Sequence, residues 1–114
     1  MRLKSEIWVR AYIRRCAGEG VPAAVVRRGD ADAGVIFIKV SRLDGTAALY
    51  GPAPAGISRE DGERHWTLFS ADKPDADIDL HLAREREMDP DLWIIEIEDR
   101  QGRHFLDGWL AKES

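Results

Sequence analysis

The segment GVIFIKVSR, residues 34–42, is the strongest strand signal in the sequence and constrains the fold more than any other stretch. Most of its apolar residues are β-branched or aromatic, and such residues are enriched in strands. The preceding segment VPAAVVRRG predicts another strand, with Pro22 at its entrance, where a missing backbone donor does least harm. The DADAG sequence between them predicts a turn. Together the two segments predict a β-hairpin.

Two further strands are predicted in the middle of the chain. The Asp-Gly turn in LDGTAALYGP precedes a short strand. RHWTLFSA, residues 64–71, predicts the next strand. Between them, residues 53–63 (APAGISREDGE) are rich in glycine, proline and charge. We expect this loop to be the most flexible part of the chain and to tolerate insertions.

The segment DLWIIEIED predicts a strand with one apolar and one half-solvated face. A tight turn over residues 99–102 should lead into a return strand that begins with residues 104–106. The core face is expected to hold Trp93, Ile95 and Ile97. The half-solvated face is expected to hold Ile94, Glu96 and Glu98.

The segment SEIWVRAYIRRCAGEG, residues 5–20, predicts the first helix. Ser5 is the expected N-cap, and Gly18 or Gly20 is expected to end the helix in the left-handed conformation. A strand would leave neither face cleanly apolar. We expect the single cysteine, Cys16, to be buried and unreactive. At about 100° per residue, the apolar side chains fall on one arc, formed by Trp8, Val9, Tyr12, Ile13 and Cys16.

Residues 72–91, DKPDADIDLHLAREREMDPD, predict the second helix. Asp75 or Asp77 is expected to cap its start, and the Asp89-Pro90 pair is expected to stop it. The element order is then α-β-β-β-β-α-β-β. This order predicts an α+β fold, in which an antiparallel sheet of about five to six strands carries two helices packed on one face.

Length and charge limit the kind of protein further. At 114 residues the chain is expected to form one domain, residues 1–114. The net charge is −4, but residues 1–28 hold seven basic and two acidic side chains, a net charge of +5, so the remainder carries −9. The sequence pI of about 5.4 argues against a nucleic-acid binder. We expect a cytoplasmic protein without membrane attachment. The single cysteine fits a reducing compartment, the start MRLKSE is not that of a signal peptide, and no apolar run is long enough to span a membrane.

Three phrases carry a resemblance to a known bacterial family: WVRAYIRRC with the EG that follows, VVRRGDADAG, and REREMDPDLWIIEIEDRQGRHFL. They resemble domain of unknown function 1491, a family of alphaproteobacteria, over nearly the whole chain. The last phrase is the most specific. The resemblance implies a small, stand-alone cytoplasmic protein, and it supplies no catalytic residues to carry over to this sequence.

The residues support two classes of function. The outer face of the first helix and the first strand offer Arg10, Arg14 and Arg28, which predict a surface for an acidic partner or for a second copy of the chain. The alternative is a small acid/base or metal-dependent enzyme that uses His81, Glu85 and nearby carboxylates, because burial beside an apolar line shifts pKa values.

No cofactor or metal is expected from the sequence. Phosphate-binding, dinucleotide-binding and hydrolase motifs are absent, and one cysteine with three scattered histidines has no zinc spacing. Whether the acidic cluster Asp75, Asp77 and Asp79 binds an ion is left open, although helix-start acids explain it without metal. The sequence therefore favours a non-catalytic interaction or regulatory module.

Overall fold

Two helices and five strands make up the fold in residues 2–54 and 63–111, the parts of the chain that this computed structural model describes. Most of the loop expected to be flexible, residues 55–62, lies outside the described residues. In chain order the elements are α1 (Ser5–Gly18), β1 (Ala23–Arg27), β2 (Ile36–Ser41), β3 (Thr46–Pro52), β4 (Trp66–Pro74), α2 (Asp75–Met88) and β5 (Trp93–Glu98).

The five strands form one mixed sheet in the order β1-β5-β2-β3-β4. The central pair, β2 and β5, is parallel, and the other three pairs are antiparallel. The fold is therefore α+β, but the expected purely antiparallel sheet is wrong. The expected β1–β2 hairpin is also wrong, because β5 lies between these strands. All six residues of β2 are buried, and a strand buried on both faces belongs in the sheet interior, where parallel pairs occur.

The two helices cover opposite faces of the sheet, whereas the sequence predicted both on one face. On the second face, Ile78 and Leu82 of α2 pack with Phe37 of β2 and Ile94 of β5. Those two strand residues make the second face apolar, so it requires a cover of its own. On the first face, α1 buries the predicted arc of Trp8, Val9, Tyr12 and Cys16, with Ile13 partly buried.

The first helix confirms the sequence assignment, except at its start. Gly20, with a φ of 73°, takes the left-handed conformation expected beyond the helix end. Lys4, not Ser5, is the N-cap residue, and no side chain caps the helix. The buried Ser5 hydroxyl instead donates to the Gly34 carbonyl oxygen at 2.6 Å and accepts from the Arg64 guanidinium at 2.7 Å. Ser5 is thus used to join α1 to the loop before β2.

The second helix ends at Met88, just before the predicted stop at Asp89-Pro90. Pro74 is its N-cap residue, so neither Asp75 nor Asp77 caps it as expected. Asp75 is already helical, and its backbone N–H donates to the Gly45 carbonyl oxygen at 2.9 Å. Neither helix is long and apolar enough to cross a membrane.

The expected core face of β5 is confirmed, because Trp93, Ile95 and Ile97 are all buried among the α1-side residues. Ile94 is also buried, under α2, so only the far end of the other face is half-solvated. The return strand predicted to begin with residues 104–106 does not form there. Phe105 has a φ of 56°, which breaks the extended path, and the Leu106 backbone N–H donates to His104 Nδ1 at 2.8 Å.

Candidate functional site

Two of the three predicted basic residues, Arg10 of α1 and Arg28 just after β1, come together around one carboxylate. A guanidinium nitrogen of Arg10 and one of Arg28 each lie 2.9 Å from Glu6 Oε1. Arg28 also lies over the Trp93 ring, 5.2 Å from its centroid. The hydrogen bond and charge of Arg28, followed by the charge of Arg10, lower the pKa of Glu6 below its usual value. The Glu6 charge is therefore shared between two arginines.

Arg14 lies one turn further along α1 and is exposed. Within residues 2–54 and 63–111 it makes no ion pair. We call Arg10, Arg14 and Arg28 the α1 basic surface. With Glu6 included, three positive charges face one negative charge. The surface is therefore basic, although two of its three members already have a carboxylate partner.

His81 and Glu85 form the pair predicted from their spacing. His81 Nε2 lies 3.2 Å from Glu85 Oε2, and both side chains are partly exposed. They line an open groove of about 480 Å³ between α2 and β4, which Ser70 and Lys73 also line. In the described part of the chain, no hydrogen bond joins Ser70 to His81, so the serine is not activated by the pair in this arrangement. The site therefore holds an imidazole that a carboxylate positions in an open groove.

The acidic cluster of α2 is divided between two sides of the helix. Asp77 lines the groove beside His81, whereas Asp75 and Asp79 point toward β2. The helical period separates the middle residue from the other two by about 200°. No three His, Cys, Asp or Glu side chains in residues 2–54 and 63–111 are arranged to hold a metal ion.

The residue that Asp75 and Asp79 reach is Lys39, a site residue that the sequence reasoning missed. Lys39 Nζ lies 2.9 Å from Asp79 Oδ1 and 3.1 Å from Asp75 Oδ1. A third carboxylate, Glu96 on the neighbouring strand β5, lies 3.9 Å away. Lys39 is only 5% exposed. We call these four residues the Lys39 cluster, which ties the first two turns of α2 to the centre of the sheet.

The Lys39 cluster carries more negative than positive charge. Burial opposes protonation of Lys39, but hydrogen bonds to Asp79 and Asp75 outweigh it, so the pKa of Lys39 is raised. Burial also raises the pKa of Glu96, against the effect of Lys39, and the other carboxylates around it add to the rise. The nearby Glu98 is one of those carboxylates. One lysine therefore neutralises only part of the local charge.

A signal for the Lys39 cluster was present in the segment VIFIKV. A lysine inside a run of buried strand residues requires a carboxylate partner, because an unpaired buried charge is strongly unfavourable. The two-residue period places Lys39 on the face opposite to Ile38 and Val40. What the sequence did not reveal was that α2 would lie on that face and supply the partners.

Cys16 is fully buried, as expected. Burial raises its pKa, which disfavours the thiolate that nucleophilic chemistry requires. Its neighbour Tyr12 points its hydroxyl at the His104 carbonyl oxygen, to which it donates at 2.7 Å. This part of α1 therefore belongs to the core.

Comparison with known proteins identifies relatives across the whole fold. A crystal structure of a DUF1491 family protein from Caulobacter crescentus is 39% identical, covers 99% of this chain and 100% of its own, and superimposes with a TM-score of 0.80. The solution structure of a protein from A. tumefaciens is 36% identical over 100% of this chain and 98% of its own, with a TM-score of 0.81.

A third relative is an NMR structure of a DUF1491 family protein from Caulobacter crescentus. It is 45% identical, covers 92% of this chain and 93% of its own, and has a TM-score of 0.76. A search of curated proteins gave no significant match. The family model described as "Protein of unknown function (DUF1491)" matches residues 3–107. The chain therefore belongs to the DUF1491 family.

Proposed function

We propose that this protein is a non-catalytic interaction or regulatory module that binds an acidic partner through the α1 basic surface. The observation that supports this function is the division of α1. Its apolar arc is buried in the core, while Arg10 and Arg14 remain exposed on the opposite side. Exposed charges of one sign steer association with a surface of the opposite sign and fix its orientation. We place this activity in the cytoplasm, where the free Cys16 stays reduced.

The acidic partner is better explained as a different protein than as a second copy of the chain. The α1 basic surface lies on one face of the sheet, and the acidic residues Asp75, Asp79 and Glu96 lie on the other. A two-fold dimer requires each patch to meet its complement in one shared interface. Patches on opposite faces do not satisfy this condition, so pairing them would build open chains or rings.

The test uses poly-L-glutamate as the acidic probe, labelled for fluorescence anisotropy. The wild-type protein should bind it at low salt and lose affinity as salt shortens the Debye length. Arg10→Glu combined with Arg14→Glu should weaken binding about tenfold, because exposed pairs of up to about 1 kcal/mol each are replaced by repulsion. Arg84→Glu combined with Arg86→Glu, which reverses two exposed charges on α2, is the matched control and should bind more tightly than the Arg10→Glu, Arg14→Glu variant.

Light scattering on the same samples separates the two kinds of partner. A protein that stays monomeric at every salt concentration, yet binds the probe, fits a foreign acidic partner. Salt-sensitive self-association that the Arg10 and Arg14 substitutions abolish would assign the surface to a second copy. Equal probe binding by wild type and the Arg10→Glu, Arg14→Glu variant would refute the proposed role of the α1 basic surface.

A second candidate function is acid/base catalysis by His81 and Glu85, and it is supported by their contact inside an open groove. In this case Glu85 orients the imidazole, and the second ring nitrogen takes a proton from a bound substrate. Turnover of simple ester or phosphoester substrates, lost in both His81→Gln and Glu85→Gln, would favour this function. The same turnover in wild type and both variants would exclude the pair from the reaction.

A further inference from the structure

The strand β1 forms one edge of the sheet and leaves a row of backbone groups available. It pairs only with β5, and no backbone hydrogen bond from residues 2–54 or 63–111 reaches its outer side. The other edge strand, β4, differs at its start, where Trp66 pairs with the segment from Trp109 to Ala111. An uncovered edge strand is a template for the addition of another strand.

The side chains of β1 are unusually exposed for a strand of apolar residues. Val26 is 60% exposed and Val25 is 42% exposed. Val25 lies opposite Ile95, on the α1 face, and Ala24 lies opposite Glu96, on the α2 face. Helix α2 packs against β3 and β4 and reaches Phe37 of β2 and Ile94 of β5, but no comparable packing joins it to β1. Both faces of this edge therefore offer apolar surface.

A groove of about 330 Å³ runs beside this edge on the α2 face. Pro22, Ala24 and Val26 supply its apolar surface, and Glu96 and Glu98 supply its acidic one. In the described ranges Glu98 makes no ion pair, and Glu96 has only the shared Lys39. The charge that faces the groove is thus negative and only partly neutralised.

We propose that β1 accepts an extended segment of a basic partner protein, which adds a sixth strand to the sheet and places lysine or arginine side chains against Glu96 and Glu98. Main-chain hydrogen bonds to β1 would supply affinity, and the alternate side chains would supply specificity. Neighbouring strands lie about 4.8 Å apart, so a lysine or arginine stem on the added strand spans the β1 position to reach β5. The bulge between Val25 and Arg27 confines regular pairing to the part of β1 beside the two glutamates.

This surface is separate from the α1 basic surface in position and in sign of charge. The groove of β1 lies on the α2 side of the sheet, while Arg10 and Arg14 lie on the far side of α1. Loss of either interaction should leave the other intact. The two surfaces together would let the protein join an acidic partner to a basic one.

The probe for this surface is a short, blocked peptide of alternating valine and lysine. We expect it to shift the backbone amide resonances of Ala23–Val26, Glu96 and Glu98 in NMR spectra of the full chain. The same peptide with glutamate in place of lysine should not bind. A version that is N-methylated at every residue should also fail, because it has no backbone donors for strand pairing.

The protein variant that tests the charge is Glu98→Gln, since Glu98 is exposed and outside the Lys39 cluster. Loss of one charge-assisted contact should weaken binding about tenfold. Glu87→Gln, an exposed position on α2, is the matched control and should bind as wild type does. The proposal is overturned if the N-methylated or glutamate peptide binds equally well. It is also overturned if Glu98→Gln has no effect, if the shifts fall elsewhere, or if β1 pairs with a second copy and excludes the peptide.

Discussion

Lys39 and Glu96 lie side by side in register on the two parallel strands at the centre of the sheet. Both point to the face that α2 covers, and Lys39 reaches beyond Glu96 to Asp75 and Asp79 in the first two turns of that helix. A buried lysine cannot stay charged without such partners. The contact therefore fixes where the start of α2 meets the sheet.

Replacement of Lys39 by methionine should destabilise the protein by about 3 kcal/mol, because it leaves three carboxylates around an apolar side chain. The half-exposed acids keep the loss at the lower end of the range for buried pairs. Urea unfolding at neutral pH measures it. Lys73→Met removes an exposed lysine of β4 and should cost far less. Similar losses in the two variants would show that the Lys39 cluster contributes no special stability.

Substitution of Trp93 by alanine should cost about 3–5 kcal/mol, because it opens a cavity in the core on the α1 face. It also removes the hydrogen bond that the indole Nε1–H donates to the Asp30 carbonyl oxygen at 2.8 Å. Urea or thermal unfolding measures the change. Trp93→Phe keeps a buried ring and should retain more stability. A Trp93→Ala variant as stable as wild type would contradict the assigned face of β5.

The thiol of Cys16 should react slowly with a thiol reagent in the native protein and quickly after denaturation. It is fully buried, and its raised pKa keeps it protonated at neutral pH. The rate of colour release by an aromatic disulfide measures the reaction. Cys16→Ala should cost on the order of 1 kcal/mol and abolish the signal. Fast labelling of the folded protein would mean that this face of α1 opens.

Replacement of Glu6 by glutamine should increase the affinity for poly-L-glutamate several-fold. It removes the one carboxylate that Arg10 and Arg28 share, so both arginines become available to the probe. Fluorescence anisotropy at low salt measures the change. Glu87→Gln alters the net charge equally but lies on α2, and it should have a smaller effect. Equal effects of the two variants would show that net charge alone governs binding.

Asp99 should contribute to acid sensitivity through Arg103. The Arg103 guanidinium and backbone N–H both donate to its carboxylate, at 2.7–3.0 Å, and lower the pKa of Asp99 below its usual value. Its stabilising effect is therefore present above the unfolded-state pKa and is lost as the pH falls through the folded-state value.

Urea midpoints measured as a function of pH test this contribution. Wild type should lose stability more steeply than Asp99→Asn at acid pH, and the two curves should converge at the lowest pH values. Asp107→Asn changes an exposed carboxylate and is expected to follow wild type more closely. Parallel curves for wild type and Asp99→Asn would show that Asp99 has the same pKa in the folded and unfolded chain.

The helices were predictable because their patterns are local. The apolar residues of α1 recur every three to four positions. Gly20, which follows the end of the helix, lies in the same short segment. The core face of β5 followed from the two-residue period in the same way. The caps were less predictable, because Ser5 and Asp75 were recruited by Gly34 and Lys39, which lie far away in the chain.

Strand order and the Lys39 cluster depend on contacts between distant segments. The run VIFIKV does not by itself reveal whether the second neighbour of β2, on the side away from β3, is β1 or the parallel β5. The pairing of β2 with β5 follows from burial of both faces of these two strands, and that burial requires a helix on each side of the sheet. The sequence therefore supplied both helices, the five strands of the described sheet, the core faces of α1 and β5, and the charges, but it also predicted a return strand that does not form. Only packing decided that Lys39, Asp75, Asp79 and Glu96 would meet, because the free energy that unites them comes from the assembled core and from no single segment.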